Sequence, residues 1–300
     1  MRPLYQYFDL FEFFALCIAV IASIIVVFHF SHPMDNYVIY ILGGIACALG
    51  IKAWKLSRQA TMRLRHLSSS FHDLTHLIRD EFYILSSDHK SKTLTRDLLI
   101  RKLTETATKV VNILAAVLTD STGYPISVCI KYFDIADPVI ADRGLNDLLV
   151  KTMCRSANSH PARLKTNSCE RAVDNTALAK IVFDNWDCFA QSDLYRYKEK
   201  YNEEYVNSDQ NWKKYYRSTI VVPIRIKLSV TDPSHEKAGY DLLGFLCADS
   251  MSNQAIENNE ISDYVNVVKG FADILYQYFD RVLFFYRKLA TQTSSEGTEK

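Results

Sequence analysis

The sequence predicts an α+β protein in three parts: an N-terminal transmembrane helical hairpin, a helical stalk and a cytoplasmic α/β sheet domain. Three observations predict it. Two apolar runs, 13–30 and 37–53, open the chain with only residues 31–36 between them. Apolar positions then recur every three or four residues over two long segments, the period of a helix with one buried face. Beyond residue 119 the pattern changes to short apolar strands set among polar turns.

The hairpin comes first. Each run approaches the roughly 20 residues that a helix needs to cross a hydrocarbon core. The only charge in either is Lys52, close enough to one end to snorkel. Residues 1–12 hold a single basic residue, Arg2, and no small-residue cleavage site follows Phe30, so the first run reads as retained and not as a secretion signal. Lys52, Lys55, Arg58, Arg63 and Arg65 follow the second run, whereas 31–36 offers only His32, Pro33 and Asp35. This asymmetry places both termini on the cytoplasmic side of a bacterial inner membrane. A loop that short cannot fold as a receptor, so sensing is expected in the cytoplasm. Ala15, Ala19 and Ser23 on the first helix, and Gly43, Gly44, Cys47, Ala48 and Gly50 on the second, have the small-residue spacing that lets helices pack closely in lipid, within one hairpin or between subunits. No charged residue sits mid-span to mark an ion or proton path, which argues against a dedicated transporter.

Composition bounds the rest. With 300 residues, the chain has room behind the hairpin for one full-sized domain and a helical connector. A net charge of +1 argues against direct nucleic-acid binding, and the basic cluster after the second run is better matched to anionic lipid. The seven cysteines, at positions 17, 47, 129, 154, 169, 188 and 247, form no CxxC pair, so neither zinc nor redox chemistry has a spacing to rest on. The expected division is 1–55 hairpin, 56–93 stalk, 94–290 sheet domain and 291–300 disordered tail.

In the stalk, Leu64, Leu67, Phe71, Leu74, Ile78, Phe82 and Leu85 form one seam, and Leu99, Leu103, Ala107, Val110, Leu114 and Val117 form a second, both of coiled-coil type. The polar stretch 86–92 reads as a turn, so the two helices form an antiparallel pair or a broken stalk. His72 and His76 have the i, i+4 spacing of a zinc-protease helix, but Asp73 stands where the general-base glutamate belongs and no third ligand is evident. Helix-surface histidines are the plainer reading.

The sheet domain is read as a strand over 126–133, a helix over 145–155, an irregular polar region to about residue 212, strands over 216–226 and 242–249, and a closing helix over 260–289. Asn175 and Thr176 precede an apolar run and suit a helix cap, Asp249 and Ser250 suit a turn cap, and Arg217 suits a solvated strand start. The aromatic-rich segment from Tyr195 to Tyr216 suits a lid packed on the sheet.

Two segments carry a resemblance. Ser218 to Ile224, ending in Pro223-Ile224, and Gly244-Phe245-Leu246-Cys247-Ala248-Asp249-Ser250 resemble the paired central strands of GAF domains, with their S-x-x-x-x-P-I and G-x-L-x-x-D-S patterns. The resemblance covers roughly 94–289. It implies a curved sheet with a concave pocket for a small molecule, or a module that serves only for dimerisation, and it does not choose between these. Candidate ligand-binding residues are Arg155, Asn175, Asp193 and Arg217.

No GxSxG elbow, P-loop, dinucleotide-binding glycine turn or metal cluster is present in the sequence, and neither a cofactor nor an enzymatic activity is expected. A sensor-like domain with no kinase, cyclase or DNA-binding output leaves the membrane as the output. The architecture resembles two-helix membrane effectors of bacterial anti-phage defence, including retron-linked ones. The implied function is inner-membrane disruption on sensing a ligand or a partner. Expected partners are membrane lipid, further copies of the chain, a small-molecule ligand, and a regulatory protein or nucleoprotein encoded nearby. The alternative is a membrane-anchored adaptor that passes a small-molecule signal to a separate protein.

Overall fold

The computed structural model of the chain describes residues 36–133, 148–165, 169–227, 240–256 and 261–296. The chain divides into two units, Met1–His66 and Leu67–Lys300. In the first unit the described residues are helical and belong to helix α1, Asn36–Lys90. Gly43, Gly44, Cys47, Ala48 and Gly50 lie in this helix. Gly44 and Ala48 are exposed, Gly50 is buried, and a Cβ added at Gly44 would meet nothing within 4 Å. Among the described residues no helix is long and apolar enough to cross a membrane. The first apolar run, with Ala15, Ala19 and Ser23, lies outside the described residues.

The second unit is a layer of helices on a six-stranded antiparallel sheet. Helix α2, Arg96–Thr122, starts where Thr95 accepts the Leu98 N–H at 3.2 Å and stops at Gly123, whose φ of 76° allows its N–H to return to the Thr119 carbonyl. Between α1 and α2 the Asp88 carbonyl accepts the N–H groups of both Thr93 and Leu94. The pairs Lys102–Asp88 and Lys109–Glu81 then align the two helices antiparallel. The closing helix, α6, Ile261–Glu296, lies beside α1, with the Phe71 and Phe271 rings 4.9 Å apart and those of Phe82 and Tyr278 5.8 Å apart.

The strands are β1 Ser127–Phe133, β2 Leu149–Arg155, β3 Cys169–Arg171, β4 Phe189–Gln191, β5 Ser218–Lys227 and β6 Tyr240–Ser250, in the spatial order β3-β2-β1-β6-β5-β4. The central three are almost continuously apolar because both faces are covered. Alternation splits them between two cores. Val128, Ile130, Ile220, Val222, Leu246 and Ala248 face the helices with Leu74, Leu114 and Phe271. Cys129, Val221, Phe245 and Cys247 face the opposite side, which short helices α3 Pro161–Leu164, α4 Thr176–Val182 and α5 Tyr197–Tyr201 and the loops around them cover; Leu178, Tyr197, Trp212 and Tyr216 from these, with Phe189 of β4, complete that core.

Three expectations change. Of the segment expected as a helix over 145–155, residues 149–155 form strand β2, and 145–147 lie outside the described residues. The strand's burial alternates along Leu149–Arg155 with period two, and pairing to β1 and β3 satisfies its backbone on both sides. The stalk expected at 56–93 does not stand apart. From Leu67 onward it belongs to the domain, because Leu74 and Leu85 are wholly buried and Ile78 nearly so in the helix-side core. The closing helix runs on to Glu296, six residues into the stretch expected to be a disordered tail from 291.

Candidate functional site

The face of the sheet turned away from the helices carries a row of side chains set by register. Arg155 of β2 lies opposite Cys129 of β1, Cys129 opposite Cys247 of β6, and Cys247 opposite Val221 of β5. One step of two residues along the strands, on the same face, adds Lys131 on one side and Asp249 with Thr219 on the other. Above this floor lie Arg163 of α3, Glu170 of β3, Asn175 and Leu178 at the start of α4, and the loop bearing Tyr205, Asn207 and Ser208, with Tyr216 at its end. Together they enclose a cavity of about 60 Å³. That volume suits a few waters or one small ion, and is far below the ~300–1,000 Å³ of pockets for drug-sized ligands.

Two ion pairs frame the cavity. Lys131 donates to Glu170, and both side chains are nearly inaccessible. Ser208 and Asn175 also donate to the Glu170 carboxylate. Burial works to raise the Glu170 pKa, but Lys131 and these hydrogen bonds outweigh it and hold the carboxyl below its usual range. Burial works to lower the Lys131 pKa, and Glu170 together with the neighbouring Cys247 and Cys129 outweighs it and holds the ammonium above its usual value. On the other side Arg163 Nη1 donates to Asp249 Oδ2 at 3.1 Å, and Thr219 donates its hydroxyl to Asp249 Oδ1 at 2.7 Å. The Arg163 guanidinium lies 5.1 Å from the centre of the Tyr216 ring.

Between the pairs stands Arg155. Its Nη2 reaches Thr152 Oγ1 at a long 3.4 Å, and its buried Nε has no hydrogen-bond partner among the described residues. A buried guanidinium N–H without an acceptor is costly, and it marks a place where an anion would be stabilised. Next to it Cys129 faces Cys247 across the strand pair. The Cys247 thiol, aided by Arg155 and Lys131, holds Cys129 below the ordinary thiol value against the opposing effect of burial, while Cys247 is pushed well above it.

The four candidates from sequence separate into two places. Arg155 and Asn175 line the cavity. Asn175 is also the expected helix cap, its Oδ1 accepting from the Ala177 and Leu178 N–H groups. Asp193 and Arg217 do not reach the cavity and are paired with each other. Arg217 Nη2 donates to Asp193 Oδ2 at 2.6 Å and Nε to Oδ1 at 3.0 Å, while the Arg217 backbone bridges the Leu194 N–H and the Ser250 carbonyl. This clamp fixes the strand entry, and the hydrogen bond from Arg217 holds the Asp193 carboxyl below its usual range.

Sequence reasoning missed Lys131, Arg163, Glu170, Asp249 and the two facing cysteines as site residues. Ser250 is the expected turn cap, accepting the Ser252 N–H, but Asp249 points at the cavity. A signal for Lys131 was present, namely one charge inside the apolar strand Ser127–Phe133. His72 and His76 stack edge to face on α1, 4.2 Å apart, and no group of three metal-ligating side chains forms among the described residues.

No protein-family model and no curated protein matches the chain. Solved structures similar to it in fold include a type II free methionine-R-sulfoxide reductase from Thermoplasma acidophilum, at 14% identity and a TM-score of 0.35, covering 59% of this chain and 96% of that one. A far-red cyanobacteriochrome photoreceptor is 10% identical with a TM-score of 0.40, covering 69% and 98%. The GAF domain of an Acinetobacter phosphoenolpyruvate-protein phosphotransferase is 10% identical with a TM-score of 0.35, covering 69% and 95%.

Proposed function

We propose that this chain is a membrane-tethered sensor whose GAF-type domain takes a small anionic ligand in the cavity above β1 and β6. The observation that carries the reading is the unpartnered Nε of Arg155, held in an enclosed polar space between two closed ion pairs. Arg155 would bind the anion, Asn175 and Thr219 would orient it, and the loop around Tyr205 and Ser208 would close over it. We read the role as binding and not catalysis. Titration calorimetry of the reduced chain with acetate, nitrate and inorganic phosphate tests this. Saturable binding of at least one anion is expected, weakened at least tenfold by Arg155→Met. No binding, or affinity unchanged in the variant, overturns the reading.

The tether and the output rest on the sequence. Two apolar runs of spanning length, with basic residues after the second, support a hairpin in the bacterial inner membrane with both termini cytoplasmic. The output we assign to it is membrane disruption through its small-residue faces, in the manner of an anti-phage effector. An adaptor that only anchors the sensor is the competing reading. Membrane potential in cells overexpressing the chain and challenged with phage separates the two. The effector reading expects depolarisation that is lost in the double variant Gly44→Leu, Ala48→Leu, and an intact potential under both conditions favours the adaptor.

A further inference from the structure

We propose that Cys129 and Cys247 form a dithiol that reacts with a small hydroperoxide admitted to the cavity and closes to a disulfide between β1 and β6. The two residues are direct register partners on antiparallel strands. Opposed residues on such strands have Cα atoms about 4.5–5.5 Å apart, inside the ~4.4–6.8 Å that a disulfide spans. Both side chains belong to the same core on the same face of the sheet and both line the cavity, so they point to one space. Both are free and almost fully buried, so large electrophiles are excluded, whereas a cavity of about 60 Å³ admits a molecule of the size of hydrogen peroxide.

The surroundings assign different roles to the two sulfurs. Cys129 lies opposite Arg155, with Lys131 on the next position of the same face, and this cationic neighbourhood favours the thiolate, which is the nucleophilic form. Cys247, pushed well above the ordinary thiol value, keeps its proton. Asp249 is the anion on the same face of β6, and it is occupied by Arg163 and Thr219. The Cys129 thiolate attacks one peroxide oxygen, the O–O bond breaks, and the departing hydroxide takes a proton and leaves as water. Cys129 is then a sulfenic acid. The Cys247 sulfur attacks the sulfenic sulfur, the S–O bond breaks, and the hydroxyl leaves with the Cys247 proton as a second water. In sum two thiols are oxidised by two electrons and one peroxide is reduced to two waters.

The inference stands apart from the anion site, since peroxide needs no resident ligand. The reduced 300-residue chain is treated with hydrogen peroxide, alkylated, digested and mapped by mass spectrometry. The expected result is a peptide pair joined through Cys129 and Cys247, the loss of both thiols, and their recovery with dithiothreitol. In Cys247→Ser the reaction is expected to stop at a Cys129 sulfenic acid that dimedone labels. The proposal is overturned if both cysteines remain alkylatable after peroxide has oxidised the exposed Cys169, or if either is joined instead to another cysteine. The wild-type map decides the matter even if the serine variant does not fold. Neither outcome alters the calorimetric test of Arg155.

Discussion

Gly244 explains at atomic scale why the second GAF-like pattern begins with glycine. A Cβ there would lie 2.2 Å from the Lys131 carbonyl oxygen and 2.9 Å from the Tyr132 Cα, which are backbone atoms of the paired strand that cannot swing aside. The register of β5 against β6 also shifts beside it, with Ile224 opposite Gly244 but Arg225 opposite Leu242. Leu243 is thus the extra residue of a bulge. Gly244→Ala is therefore expected to destabilise the domain by about 3 kcal/mol or more, read from urea unfolding, and a loss below about 1 kcal/mol would contradict the close approach. The Lys131–Glu170 pair makes a second prediction. Glu170 has a folded pKa below its unfolded value near 4.3, so its contribution is fully present above that value and is lost as pH falls through the folded pKa. Glu170→Gln leaves the buried Lys131 charge without its partner and is expected to cost about 3–5 kcal/mol at pH 7. The gap to wild type should close on acidification, where Glu170 is itself neutral. A gap that stays constant from pH 7 to pH 3 would contradict the assignment. These residues were unevenly legible. Asn175 and Ser250 announce their caps locally, whereas the cavity roles of Lys131 and Asp249 depend on which strands become neighbours.

At the scale of elements, the strongly patterned ones were legible and the short ones were not. The helices of Arg96–Thr122 and Ile261–Glu296 and the apolar strands Ser218–Lys227 and Tyr240–Ser250 carry their periods in sequence. Strands β3 and β4 have three residues each, too few for a period, and exist because a neighbour pairs with them. β2 reads as helical in sequence because Val150, Thr152 and Cys154 stand among long side chains that a helix also tolerates. Pro223 lies two residues past the last β5 position paired to β4, where one side of the strand needs no ladder partner. The second half of α1 gives a direct test. Leu74, Ile78 and Leu85 are buried against α2 and α6, and at about 1.5–3 kcal/mol per side chain their removal consumes most of a typical domain stability of about 5–15 kcal/mol. A chain begun at residue 94 is expected to lose cooperative unfolding by circular dichroism, while one begun at residue 67 keeps it. Equal unfolding midpoints would show that the helix is only a stalk. The Arg217–Asp193 clamp belongs at this scale too. Arg217→Ala should lower the unfolding midpoint and leave anion affinity unchanged, and a selective loss of affinity would return these residues to the site.

For the whole molecule, the division of labour follows from what covers each face of the sheet. One face is covered by long helices, whose apolar positions pack on the sheet around a mostly apolar cleft between Leu99, Met153, Leu243 and Phe279. The other is covered by short helices and loops, which bring charged and hydroxyl groups over a row of strand residues and enclose the cavity. In the proposed role this asymmetry matters, because a ligand can reorganise loops far more cheaply than packed helices. The most direct test is thermal unfolding of the reduced 300-residue chain against rising acetate, nitrate or phosphate at fixed pH and ionic strength, in parallel with Arg155→Met. The account predicts that at least one anion stabilises the wild type, by about 2.7 kcal/mol at a hundredfold excess over its Kd, and that the same anion leaves the variant unmoved. Stabilisation of both proteins alike, or of neither, would contradict it.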